Sequence, residues 1–101
     1  MEKTYVVYSE EYYFSVKALS TALRKNVYNV SPNKEDAEEV KYILESVLEN
    51  MRNNAKVNAN DELLTAYHVD LITLEGKYSI NEAKDMVIDD DYTWGHVSKN
   101  R

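Results

Sequence analysis

Between Ser31 and Lys56 the apolar positions recur at helical spacing. At 100° per residue, Ala37, Val40, Ile43, Leu44, Val47, Leu48 and Met51 gather on one side. Glu35, Glu38, Glu39, Glu45 and Glu49 gather on the other, with Tyr42 among them. The pattern predicts one long helix with an apolar face on a core and a carboxylate face toward water or a partner. Ser31-Pro32 or the capping pair Asn33 and Asp36 opens it, and it ends near Asn53 or Asn54.

Elsewhere the patterns are shorter. The β-branched and aromatic run from Thr4 to Tyr8 predicts a strand. Ser9 has the character of an N-cap, with Glu10 and Glu11 where a helix dipole favours negative charge. Tyr12, Val16, Leu19 and Leu23 follow at helical spacing, and Arg24, Lys25 and Asn26 suit a C-terminal turn. A helix is therefore predicted over 10–25, and a second short strand over Val27 to Val30. The polar stretch 56–61 is a linker, too short to divide two domains.

Alternation from Tyr67 to Leu74 predicts a third strand. Glu75-Gly76-Lys77 reads as a tight turn with Tyr78 returning as a brief hairpin, and Ser79 with Glu82 as a capping box for a helix through Ile88. Residues 89–101 have no clear period and are expected to form a tail, mobile or anchored by the sole Trp, Trp94. The order β-α-β-α-β-α implies an α+β or small α/β fold, two or three helices on a small sheet, in a single domain over 1–101.

Composition narrows the functions. The chain has no Cys, which removes disulfides, thiolate ligands and thiol nucleophiles. No apolar run near Met1 has the length of a leader and none reaches a membrane span, so a cytoplasmic protein is expected. The net charge of −6 is uneven: 1–30 carry +1, 31–62 carry −4 and 63–101 carry −3. This balance opposes direct nucleic-acid binding, which needs cations to displace counterions from phosphates. It suits a protein partner with a basic surface, including a nucleic-acid-binding protein, and equally a face that only keeps the chain soluble.

Five carboxylates from Glu35 to Glu49 cover about 21 Å of helix, roughly one per 5 Å against about 3.4 Å per phosphate along one DNA strand. That spacing admits DNA mimicry without requiring it. Tyr42 is the member of the stripe that a merely solvating face does not need. In Tyr12-Tyr13-Phe14, burial of Tyr12 turns Tyr13 about 100° away, to a half-exposed position that suits an interface.

Three resemblances bear on function. Strand, turn and helix over YVVYSEEYYFSVKAL resemble the start of a glutaredoxin-type thioredoxin fold, whose two cysteines would fall at Tyr12 and Ser15; without them no thiol exchange follows. Asp61, Glu75 and Lys77 resemble the D…ExK arrangement of restriction-type nucleases, which implies Mg²⁺ held by the acidic pair and water oriented by the Lys. The Cys-free, acidic composition is similar to that of phage and mobile-element inhibitors, including anti-CRISPR and anti-restriction proteins. His68 and Asp70 share a strand face and Asp89-Asp90-Asp91 stand near His96, but neither group has metal-ligand spacing, and with only Gly76 and Gly95 a phosphate cradle is not expected.

The reading is a non-enzymatic interaction or inhibitor module without cofactor or metal, binding through Glu35, Glu38, Glu39, Tyr42, Glu45, Glu49 and Tyr13. Two alternatives stay open: a Mg²⁺-dependent nuclease-like enzyme on Asp61, Glu75 and Lys77, and a homodimer paired through a Tyr-rich face.

Overall fold

A computed structural model describes residues 2–88. The element order is β1 (Lys3–Ser15), β2 (Ser20–Ser31), α1 (Lys34–Asn54), β3 (Glu62–Glu75) and α2 (Ile80–Ile88). The strands form an antiparallel sheet in the order β2-β1-β3. The fold is α+β, with the long helix and the last helix where the sequence predicts them and the third strand starting five residues earlier, at Glu62.

The helix predicted over 10–25 is instead the heart of a β-hairpin, and the order is β-β-α-β-α. Central strand β1 buries both faces, so its apolar residues do not alternate with polar ones. Tyr5, Val7 and Tyr13 pack with α1, and Val6 and Tyr8 pack with α2. Ser9, Glu10 and Glu11 are buried strand residues, not a helix cap. With the hairpin goes the likeness to a thioredoxin start, because no helix follows the first strand.

Each helix covers one sheet face. Ala37, Leu44 and Leu48 of α1 seal one cluster with Val7, Leu64 and Val69. Ala83 and Val87 of α2 seal the other with Val6 and Tyr8, flanked by Val27, Val30, Ile72 and Leu74. The Asn33 side chain caps α1 by accepting from the amides of Glu35 and Asp36, and Ala55 closes it in the left-handed region. The capping box opening α2 forms reciprocally: Ser79 N donates to Glu82 Oε1 at 2.8 Å, and Glu82 N donates to Ser79 Oγ at 3.2 Å. Tyr78 does not return as a strand; its amide donates to Thr4 Oγ1 as the chain passes on to α2.

Two bulges adjust the sheet. Val7 pairs with Asn29 and Tyr8 with Val27, leaving Tyr28 as the extra residue of β2. Tyr12 pairs with Ala66 and Tyr13 with Leu64, leaving Thr65 as the extra residue of β3. The hairpin turn 16–19 contains no glycine, and Leu19 takes φ +52° there while 75% exposed. A left-handed residue with a Cβ costs about 1 kcal/mol, so Leu19→Gly or Leu19→Asn should leave stability unchanged or raise it by up to about 1 kcal/mol in urea denaturation.

Three strands about 4.8 Å apart make a sheet about as wide as one helix, so the sheet covers only part of the circumference of α1. The sequence places seven apolar residues of α1 on the core. Only Ala37, Leu44 and Leu48 are buried, Val40 is half-buried, and Ile43, Val47 and Met51 are exposed. The tail with Asp89-Asp90-Asp91, Trp94 and His96 lies outside the described residues.

Candidate functional site

Rotation of α1 about its axis follows from its buried ridge. With Ala37, Leu44 and Leu48 against the sheet, Glu35, Glu38, Glu39 and Tyr42 turn outward, and all four are exposed. Glu45 and Glu49, nearer the sheet, are half-buried and already engaged. Lys41 Nζ lies 3.8 Å from Glu45 Oε2, one turn away. Glu49 accepts from the Tyr67 hydroxyl at 2.6 Å and from Arg52 at 3.0 Å. The Tyr67 bond, opposed by partial burial and aided by Arg52, holds the Glu49 carboxyl below the ordinary range.

The stripe is therefore two unlike halves. Toward the N-terminus, Glu35, Glu38 and Glu39 make no ion pair among the described residues; toward the C-terminus, Glu45 and Glu49 tie α1 to its own cations and to β3. The expected Glu49–Arg52 pair forms, whereas Lys41 chooses Glu45 over Glu38.

Tyr42 stands between these halves with 72% of its surface exposed. Two shallow depressions meet at its ring. One, about 500 Å³, runs past Lys34, Glu38, Lys41 and Glu45 to Leu71 and Thr73 of β3. The other, about 390 Å³, runs past Glu45, Ser46, Glu49 and Asn50 to Tyr67. The acidic face thus continues into a groove between α1 and β3, with Tyr42 as the ridge dividing it.

Tyr13 does not join this surface. It is buried, its hydroxyl donates to Glu11 at 2.5 Å, and the Arg24 guanidinium lies 5.1 Å from its ring centroid. The expectation of a half-exposed Tyr13 assumed a helix; strand geometry points it beneath α1.

Glu11 is the most deeply buried carboxylate among the described residues, and sequence reading missed it. Ser9 and Tyr13 donate to it along β1, and from β2 come Tyr28 at 2.8 Å and Asn26 at 3.4 Å. Burial alone would raise its pKa, and the four donors reverse that and hold the carboxyl low. Burial and the Glu11 carboxylate together push Tyr28 up to about 12. Beside this network Glu62 accepts both Arg24 nitrogens, at 2.6 and 2.5 Å, which lowers its pKa against a smaller opposing effect of burial. The array welds β2, β1 and β3 together, and its members already satisfy one another.

The nuclease-like arrangement is not assembled. Asp61 precedes β3 and Glu75 ends it, about 45 Å apart for an extended strand of that length, with Lys77 beyond Glu75. Asp61 instead faces Lys17 at 3.6 Å. His68 Nε2 lies 4.0 Å from Asp70 Oδ2 on one strand face. Among the described residues no group of three His, Asp or Glu side chains is placed to hold a metal ion, and no helix is long and apolar enough to cross a membrane. No protein-family model, curated protein or solved structure matches the chain.

Proposed function

We propose that this protein is an interaction or inhibitor module whose outward α1 face occupies a basic surface on a partner protein. The observation that carries the reading is Tyr42, an amphipathic ring held 72% exposed among carboxylates, where two depressions meet. A solvated helix face needs no such ring, and an exposed Tyr at the centre of a polar patch is a common interface anchor. The unpaired Glu35, Glu38 and Glu39 supply attraction and steering, while Glu45 and Glu49 hold the shape of the groove.

A nucleic-acid-binding protein is the partner class whose positive cleft such a face fits, as in the anti-CRISPR and anti-restriction inhibitors this composition resembles. The test is paired affinity capture from cell extract on immobilised wild type and on a Glu35→Lys/Glu38→Lys/Glu39→Lys variant. Proteins held by the wild type should elute between about 0.1 and 0.5 M salt and bind the variant at least tenfold more weakly, at unchanged Tm. Equal retention by both baits would refute the reading.

A further inference from the structure

Three exposed apolar residues on α1 remain without a role. Ile43 is 52% exposed, Val47 48% and Met51 40%, and they lie four residues apart in one row. Lys41, Glu45 and Glu49 mark the flank of α1 that meets β3, and this row runs along the opposite flank. At its C-terminal end Val47, Met51 and the exposed Val57 border a depression of about 430 Å³, closed by Asn50, Asn54 and Lys56. One flank thus carries a protruding Ile43 and, two turns along the helix, a hollow open beside Met51.

We infer that this flank is where a second copy of the chain docks, with the two α1 helices antiparallel across a twofold axis at Val47. In that register Ile43 of each copy faces Met51 of the other and enters the hollow beside it. A protrusion and a hollow equidistant from one residue are the self-complementary pattern of a twofold contact.

Charge chooses the antiparallel direction. The N-terminal turns of α1 carry Glu35, Asp36, Glu38 and Glu39, while Arg52 and Lys56 lie at and beyond its C-terminal end. Antiparallel pairing brings Asp36, the acidic residue that shares this flank, near Lys56 of the other copy and opposes the helix dipoles. Parallel pairing would stack the acidic turns on each other. Because Tyr42 and Glu38 point away from this flank, the pair leaves the proposed binding face open, twice. The dimer and the partner reading therefore stand or fall separately.

A contact built on three half-exposed side chains and one hollow is expected to be weak, with a Kd of about 10–100 µM. Sedimentation equilibrium of the full chain from about 1 µM to 1 mM should show the mass rising from 11.7 kDa toward twice that value. Val47→Glu should weaken dimerisation at least tenfold with an unchanged circular dichroism melt, because its side chain is half in water. Lys56→Glu should weaken it severalfold.

Since the chain has no Cys, Val47→Cys gives a specific readout that does not depend on a destabilising charge. Oxidation should cross-link it through the twofold axis, while Glu35→Cys on the outward face stays monomeric. A mass of 11.7 kDa at every concentration overturns the inference. So does a Val47→Glu protein that still dimerises, or a Val47→Cys protein that cross-links no faster than Glu35→Cys.

Discussion

Glu11→Ala is expected to destabilise the fold by about 3–4 kcal/mol and lower Tm by roughly 15–25 °C, measured by urea and thermal unfolding. The substitution leaves the Ser9, Tyr13 and Tyr28 hydroxyls and the Asn26 amide without their acceptor on the inner side of the sheet. Glu11→Gln, which keeps the shape and one acceptor oxygen, should cost about half as much. The same carboxylate sets the acid limit. Its folded pKa lies below its unfolded value near 4.5, so its contribution is complete above that value and is lost as pH falls through the folded pKa. At the alkaline end the sign reverses. Tyr28 is raised to about 12, so stability is complete below pH 10 and is lost as pH rises toward 12. Unfolding followed across both windows should show the acid loss vanish in Glu11→Ala, apart from the shares of Glu49, Glu62 and Glu82, whose pKa values are also lowered.

The second large effect contrasts neighbouring residues. Leu48, 2% exposed, packs in the cluster between α1 and the sheet, and Leu48→Ala should cost about 3 kcal/mol through lost burial and the cavity left behind. Val47→Ala should change stability by less than about 0.5 kcal/mol, because half of its side chain is already in water. Matched urea titrations of the pair test the rotation of α1 about its axis. An equal cost at both positions would mean that the helix lies turned from the orientation described, and the acidic and apolar flanks with it.

What could be read from the sequence follows the strength of local signals. The Asn33 cap and the Ser79–Glu82 box each act within one turn, and the apolar positions from Ala37 to Met51 repeat over about four, so α1 and α2 are legible. The β1–β2 hairpin is not, for three physical reasons. Ser9-Glu10-Glu11 imitates a helix start, yet its carboxylate at Glu11 is satisfied by residues from a second strand that local reading does not see. The turn at 16–19 lacks the glycine that usually announces one, because Leu19 adopts the left-handed conformation. A central strand buried on both sides shows no period-two pattern.

The candidate site divides in the same way. That Glu35, Glu38, Glu39 and Tyr42 share an exposed face follows from helical periodicity and holds in the structure. That Glu49 is held by Tyr67, and that Ile43, Val47 and Met51 stay outside the core, depends on where β3 lies and how narrow the sheet is. Periodicity identifies a helix's apolar side but not how much of it a neighbouring layer covers. Here the uncovered remainder gives α1 two separate surfaces, one acidic around Tyr42 and one apolar around Val47.

The acidic surface is the central claim, and Tyr42→Ala tests it most directly. The substitution removes a ring that is 72% exposed and whose hydroxyl makes no hydrogen bond among the described residues, so Tm should not move. Binding to the protein captured by the wild type, measured by calorimetry at fixed salt, should weaken by at least tenfold, about 1.4 kcal/mol or more. An affinity within twofold of wild type, at unchanged Tm, would contradict the account and return the acidic face to a surface that only keeps the protein in solution.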